Sequence, residues 1–243
     1  METAQKQRPA WLYVLIGCGS AAGLVCLVGA LAAGYCAKSV NDLGKGVTDP
    51  AVRHENALKQ LGALPDGYNV AMSASMFISV TMLTNAGALE DGGFSMDATT
   101  RNFMFQRVPS NDNNKPVRDF LSGKDTDSTA ARNVNLQIDR EQIVKRGSLT
   151  IDGRKFHYVA SRAVGEFRGM PQDPAQPPQQ VQLERLLNNA VLFDCPGDVL
   201  YVGVWSQADP APDKTKEELE LAGTVADEAE LARFLKPMNP CGR

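Results

Sequence analysis

The feature that most constrains this chain is an uncharged, mostly apolar segment of 23 residues near its N-terminus, at positions 11–33. As an α-helix with a rise of about 1.5 Å per residue, it would reach roughly 35 Å, which is enough to cross a bilayer. Trp11 and Tyr13 at one end and Tyr35 at the other stand where aromatic side chains favour the membrane interface. The segment therefore predicts a transmembrane helix over residues 11–35, embedded in the lipid bilayer.

This segment also permits three other interpretations. A cleaved signal peptide would have a shorter apolar stretch, although residues 30–32 offer a small-residue cleavage site. Residues 15–18 resemble a bacterial lipoprotein signal, with Cys18 as the acylated residue, but a long apolar run follows them. Residues 14–23 resemble the glycine fingerprint of dinucleotide-binding folds, yet residues 36–42 are not the second buried strand which that fold requires. We favour the uncleaved helix and expect no cofactor.

Within the predicted helix, Gly19 and Gly23 form a small-xxx-small pair. Such a pair lets two helices approach closely, so this face is a candidate homodimer interface. Membrane helices are also rich in glycine for other reasons, and the spacing alone does not decide between the two interpretations.

The charges that flank the helix do not fix its orientation, because Lys6 and Arg8 on one side face Lys38 and Lys45 on the other. So slight a charge bias would not retain a whole domain in the cytoplasm. A tail of residues 1–10 is more easily left there. We therefore expect a single-pass signal-anchor protein with a cytoplasmic N-terminus and a periplasmic or extracellular C-terminal domain.

The rest of the chain is long enough for one domain, at residues 64–243, which follows a juxtamembrane stalk and helix at 36–63. Asp49 is the expected N-cap of that helix, with Pro50 at its first position and Gly62 at its end. Alternating apolar and polar residues at 70–82 predict a strand whose Met-containing face is buried, and Phe103 and Phe105 mark another.

Further elements follow the same logic. Val117, Phe120 and Leu121 are spaced as in a short helix, and Asp152-Gly153 predicts a type I′ hairpin turn. A helix is expected around residues 182–188, a central strand at 199–205, and a terminal helix that ends before Pro237; Thr215 and Glu218 have the spacing of a capping box. This order predicts an α+β fold, mainly an antiparallel sheet with flanking helices, preceded by one transmembrane helix.

Of the five cysteines, Cys195 and Cys241 lie outside the membrane region, while Cys18, Cys26 and Cys36 lie in or beside it. An exported domain meets oxidising conditions, which favour disulfide formation. We therefore predict a disulfide between Cys195 and Cys241 that ties the terminal helix and tail to the sheet.

Charge and motifs restrict the function. Residues 64–243 contain 19 basic and 24 acidic side chains without a basic cluster, so nucleic acid is not an expected partner. No HExxH, GxSxG, P-loop or CxxC pattern occurs in that part, and His54 and His157 lack neighbours at ligand spacing, so no metal site is expected. We favour a membrane-anchored interaction or sensory module that binds a protein or a small molecule over an enzyme. The alternative is an exported hydrolase that uses His157, with catalytic groups brought together from distant positions.

Overall fold

The computed structural model describes residues 48–75, 78–86, 99–165 and 184–242. The predicted transmembrane helix, with Gly19 and Gly23, lies outside these ranges. Within them, no helix is both long and apolar enough to cross a membrane.

One antiparallel sheet of seven strands dominates the described residues, with the order β1-β2-β3-β7-β6-β5-β4. The strands are β1 (Asn69–Ser75), β2 (Ser79–Thr84), β3 (Arg101–Val108), β4 (Ile143–Ile151), β5 (Arg154–Gly165), β6 (Glu184–Phe193) and β7 (Leu200–Ala208). The helices are α1 (Pro50–Leu61), α2 (Asn114–Leu121) and α3 (Glu228–Leu235), with 3-10 turns at Ser128–Val134 and Arg140–Gln142. The predicted α+β class, an antiparallel sheet with flanking helices, is confirmed.

The front face of the sheet carries the larger core. Phe103, Phe105, Tyr158 and Trp205 point from the strands into this core, and each is at most 1% exposed. Side chains of α3 and of the end of α1 cover them, namely Leu61, Leu231, Phe234 and Leu235. Full burial of one such aromatic side chain stabilises the fold by about 1.5–3 kcal/mol.

The back face packs against α2 and the first 3-10 turn. Val117, Phe120 and Leu121 lie on one side of α2, as their spacing predicts, and all three are fully buried. They pack with strand residues such as Val159 and Val202. Helices therefore flank the sheet on both faces.

The chain at 70–82 corrects one prediction, because it forms two strands instead of one. Ser75 pairs with Ser79, and β1 and β2 run antiparallel. Two of the polar positions are fully buried: Ser73 and Thr81 are both 0% exposed and hydrogen-bonded to each other at 2.9 Å, and Thr81 donates to Gln60 of α1. Satisfied hydroxyl groups can be buried at little cost, so apolar periodicity alone assigned the wrong face.

The helix predicted around residues 182–188 is also wrong, since residues 184–188 are the first residues of β6. Strand β6 lies between β5 and β7, and Leu186 and Leu187 are both buried although they face opposite sides. A strand covered on both faces has a continuous apolar run, which periodicity does not distinguish from a short helix.

The proposed capping box is a turn. Glu218 accepts hydrogen bonds from the backbone N–H and the hydroxyl of Thr215, at 3.1 and 3.0 Å, but residues 215–226 do not form a helix. Gly223, at φ 71°, redirects the chain first, and Asp227 is the N-cap of α3.

Other local predictions are confirmed. Asp49 caps α1 by accepting a hydrogen bond from the Ala51 N–H at 2.9 Å, and the helix ends at Gly62, which has a φ of 83°. The predicted central strand is β7, the fourth of the seven described strands in the sheet.

Candidate ligand-binding cleft

An aromatic cluster joins β7 to α3 at one end of the front face. The indole of Trp205 stacks on the ring of Phe234, with centroids 4.3 Å apart and planes 6° from parallel. Phe103 meets Phe234 edge to face at 5.0 Å, and Tyr68, just before β1, packs on it at 4.9 Å. Such contacts add about 0.5–1.5 kcal/mol per pair beyond their buried area, so they stabilise this end of the domain.

Tyr68 provides a hydroxyl group at the edge of this cluster. Its Oη accepts a hydrogen bond from Trp205 Nε1 at 2.8 Å. Burial raises the pKa of Tyr68 to about 12, so the phenol is neutral at physiological pH. No described residue accepts the Tyr68 hydroxyl proton, which leaves that donor free for a ligand.

Charged side chains surround the aromatic cluster in a fixed arrangement. The Arg101 guanidinium lies over the Trp205 ring, 5.4 Å from its centroid, and forms a salt bridge with Glu230 at 3.2 Å. It also donates to the Gly223 carbonyl, while Arg233 contacts the same Glu230 carboxylate from the solvent side. Glu230 therefore holds one partly buried and one exposed arginine.

These groups line a cleft of about 670 Å³. Its walls come from the segment before β1, the start of β3, the β4–β5 turn and the C-terminal half of α3. Three acidic and three basic side chains line it, and they are Asp66, Asp152, Glu230, Arg101, Arg233 and Lys236. The charges balance, so the cleft suits a ligand that carries both charges or neither, rather than a strongly charged one.

The confirmed disulfide ties the tail that follows α3 to the end of β6. Cys195, after β6, is bonded to Cys241 in the tail, with their Cα atoms 5.2 Å apart. Arg154 ties the same tail to the sheet by donating to the carbonyls of Lys236 and Met238. The cleft wall after α3 is therefore held in place from two directions.

His157 lies on the back face, away from the cleft. Its side chain is 12% exposed, and its Nε2 is 3.7 Å from the Asp194 carboxylate. Burial and nearby Lys155 lower the pKa of His157, and Asp194 opposes them only in part. In the described residues, no cluster of His, Cys, Asp or Glu could hold a metal ion.

A second cleft of about 860 Å³ lies beside the two 3-10 turns and includes Arg132, Arg140 and Arg162. Arg162 is not available to a ligand, because its guanidinium lies 2.8 Å from the buried Asp209 carboxylate and donates to two backbone carbonyls. Asp139 and Glu141 line the same cleft and offset the remaining arginines. The aromatic cleft is the better-formed site.

Sequence reasoning did not find the aromatic cleft. Tyr68 and Trp205 are 137 positions apart, and Arg101 and Glu230 are 129 apart, so no local motif connects them. Trp205 was a partial indication of the site, because the N–H of a tryptophan buried in a central strand needs a hydrogen-bond partner.

Known proteins give no family for this chain. No protein-family model matches it, and no curated protein matches it. Among solved structures it is similar to the crystal structure of human STARD10, with 13% sequence identity over 79% of this chain and 80% of that one. The TM-score is 0.31, which is too low to transfer a fold or a function.

Proposed function

We propose that this protein is a membrane-anchored, extracytoplasmic binding module, and that its ligand occupies the aromatic cleft. The anchor is the helix expected over residues 11–35. The ligand is a small molecule or a short peptide segment with polar groups of both signs. The observation that carries the proposal is the Tyr68 hydroxyl at the edge of the aromatic cluster, for whose proton the described residues provide no acceptor.

Preorganisation supports a binding role. Arg101 is fixed by Glu230 and by the Trp205 ring, and Tyr68 is fixed by Trp205, so a ligand would not have to immobilise these groups. Arg233 is 77% exposed and can exchange its contact with Glu230 for one with a ligand. The site thus combines fixed side chains with one exposed cation.

The disulfide supports an extracytoplasmic location. Such bonds persist in oxidising compartments and are rare in the cytosol, where thiols are kept reduced. Cys195 is 3% exposed and bonded to Cys241, a typical arrangement for a structural disulfide.

The binding proposal can be tested with Trp205 as a reporter. The chain has two tryptophans, so Trp11→Phe leaves Trp205 as the only one. The probes are free amino acids and a tripeptide library, with the change in Trp205 fluorescence as the readout. We expect Tyr68→Phe and Arg233→Gln to lower the affinity for the best probe about tenfold, which corresponds to about 1.4 kcal/mol of binding free energy.

Matched controls are Tyr201→Phe and Arg140→Gln, since neither residue lines this cleft. They should leave probe affinity unchanged. Equal losses in the controls and the cleft variants, or a probe that binds equally to all of them, would refute the assignment of the cleft.

A hydrolase is the second candidate function, and one observation favours it. Ser148 is opposite His157 in the β4–β5 register, and His157 faces Asp194 at 3.7 Å. These are the residue types of a nucleophile, a base and an orienting acid. Labelling of the protein by a fluorophosphonate, lost in both Ser148→Ala and His157→Ala, would favour catalysis over binding alone.

A further inference from the structure

Three methionines form a row across β1, β2 and β3. Met72 is directly opposite Met82, and Met82 is directly opposite Met104. All three point to the back face, because Thr81, between Val80 and Met82 in β2, is bonded to α1 on the front. The row is thus formed by strand register rather than by sequence proximity.

These methionines do not fill the core. Each is half-buried, and none belongs to either of the two cores of the described residues. Met238 provides the contrast, since it is fully buried among the front-face residues. Methionine is a common gap filler inside cores, but that role does not account for three side chains in a row outside them.

The spacing allows the three sulfur atoms to converge. Directly opposed residues in adjacent strands have Cβ atoms about 4.5–5.5 Å apart. Met82 is in the middle, so Met72 and Met104 need only lean inward, which their flexible side chains permit. Gln106, 7% exposed, donates a hydrogen bond to the Met104 sulfur at 3.6 Å and so restrains that side chain.

We propose that Met72, Met82 and Met104 form a three-thioether site for a soft monovalent cation, Cu(I). Thioether sulfur is a soft, uncharged ligand that selects Cu(I), whereas Zn²⁺, Ca²⁺ and Mg²⁺ prefer harder or charged ligands. Half-buried Val80 and Val204 flank the row and limit the access of water to it. The site lies on the opposite face of the sheet from the aromatic cleft and does not depend on ligand binding there.

The test uses Ag(I), a redox-inert cation with the same preference for sulfur, and the full chain in detergent micelles. Cys18, Cys26 and Cys36 are replaced by serine so that free thiols do not compete. Methionine methyl groups are labelled with ¹³C, and silver nitrate is added in chloride-free buffer. We expect the methyl signals of Met72, Met82 and Met104 to shift together and to saturate at one equivalent, while that of Met238 stays unchanged.

Substitution by leucine keeps the side-chain volume and removes the sulfur. Loss of residues that merely orient metal ligands lowers affinity 10–100-fold, so loss of the central ligand in Met82→Leu should lower Ag(I) affinity by about tenfold or more. Met238→Leu is the matched control and should bind Ag(I) as the parent does. If Met82→Leu disturbs folding, Met72→Leu in edge strand β1 provides the same comparison.

Three outcomes would overturn the proposal. They are a shift of only one methyl signal, a titration that does not saturate at one equivalent, and unchanged Ag(I) affinity in folded Met82→Leu or Met72→Leu. A repeat with Cu(I), in competition with bathocuproine disulfonate, should rank the variants in the same order.

Discussion

Two residues with positive φ form the turn between β4 and β5. Asp152 has a φ of 50° and Gly153 one of 77°, as a type I′ turn requires. An added Cβ at Gly153 would meet no atom within 4 Å, so the cost of substitution is purely conformational. We predict that Gly153→Val lowers the free energy of unfolding by about 1–2 kcal/mol, measured by urea denaturation.

The control for this turn is Gly153→Asn, because asparagine tolerates the left-handed conformation. It should retain most of the stability. Equal stability of the valine and asparagine variants would mean that the turn does not constrain the backbone.

The partly buried hydroxyl group of Tyr68 makes stability depend on alkaline pH. Its pKa is raised to about 12 in the folded protein from an ordinary value of 10.0. Between these values the unfolded chain loses the proton while the folded protein keeps it, so stability is complete below pH 10 and falls as pH rises toward 12. We predict that Tyr68→Phe shows a shallower loss of stability in this window.

Denaturation curves at several pH values between 9 and 12 measure this difference, with Tyr201→Phe as the control. A parallel decline in the parent and in Tyr68→Phe would contradict the burial of the phenol. Burial and a hydrogen bond to Glu228 also raise the pKa of Tyr158, so some decline should remain in Tyr68→Phe.

Single residues were predictable from the sequence where chemistry or local geometry left few choices. Cys195 and Cys241 are the two cysteines beyond the predicted membrane segment, and an Asp-Gly pair between apolar runs has few other conformations. The cleft residues were not predictable, because the partner of Trp205 Nε1 is fixed by tertiary structure 137 positions away.

At the scale of elements, periodicity succeeds where only one face is apolar. Periodicity succeeds at helix α2, which has one apolar side and forms where the sequence predicts it. It fails at β6, which is apolar on both sides, and at β1 and β2, where a hydrogen-bonded polar face is the buried one. Burial of satisfied polar groups does not follow from hydropathy.

The disulfide joins the end of β6 to the tail after α3, and it should contribute measurably to stability. It links positions separated by 46 residues, for which the chain-entropy model gives about 4 kcal/mol. We predict that Cys241→Ser lowers the melting temperature, and that Cys195→Ser with Cys241→Ser lowers it by a similar amount. Unchanged melting of the parent after reduction would contradict this contribution.

At the scale of the whole molecule, the predicted anchor determines where the domain is found. A helix of residues 11–35 would make the protein resist both high salt and alkaline carbonate, because insertion of such a helix is effectively irreversible. Deletion of residues 1–37 should release a folded, soluble domain. Recovery of the full chain in the carbonate supernatant would exclude the anchor.

The strand order was not predictable from sequence, since hairpin signals specify neighbours only within β1–β3 and within β4–β7. These two groups meet in the pairing of β3 with β7, where eight residue pairs run from Arg101–Gln207 to Val108–Leu200. No turn signal specifies pairing between strands this far apart in the sequence, because that pairing depends on the packing of the two completed halves of the sheet.

The seam between β3 and β7 divides the sheet into two pieces that are each continuous in the chain. Strands β1–β3 are consecutive neighbours on one side of it, and β7, β6, β5 and β4 are consecutive neighbours on the other. A break in the backbone at residues 109–113 would leave both groups of strands intact. The two groups would then be joined by the backbone hydrogen bonds between β3 and β7. A cut there would therefore give two fragments with complementary sheet edges, which is the arrangement that a split protein requires.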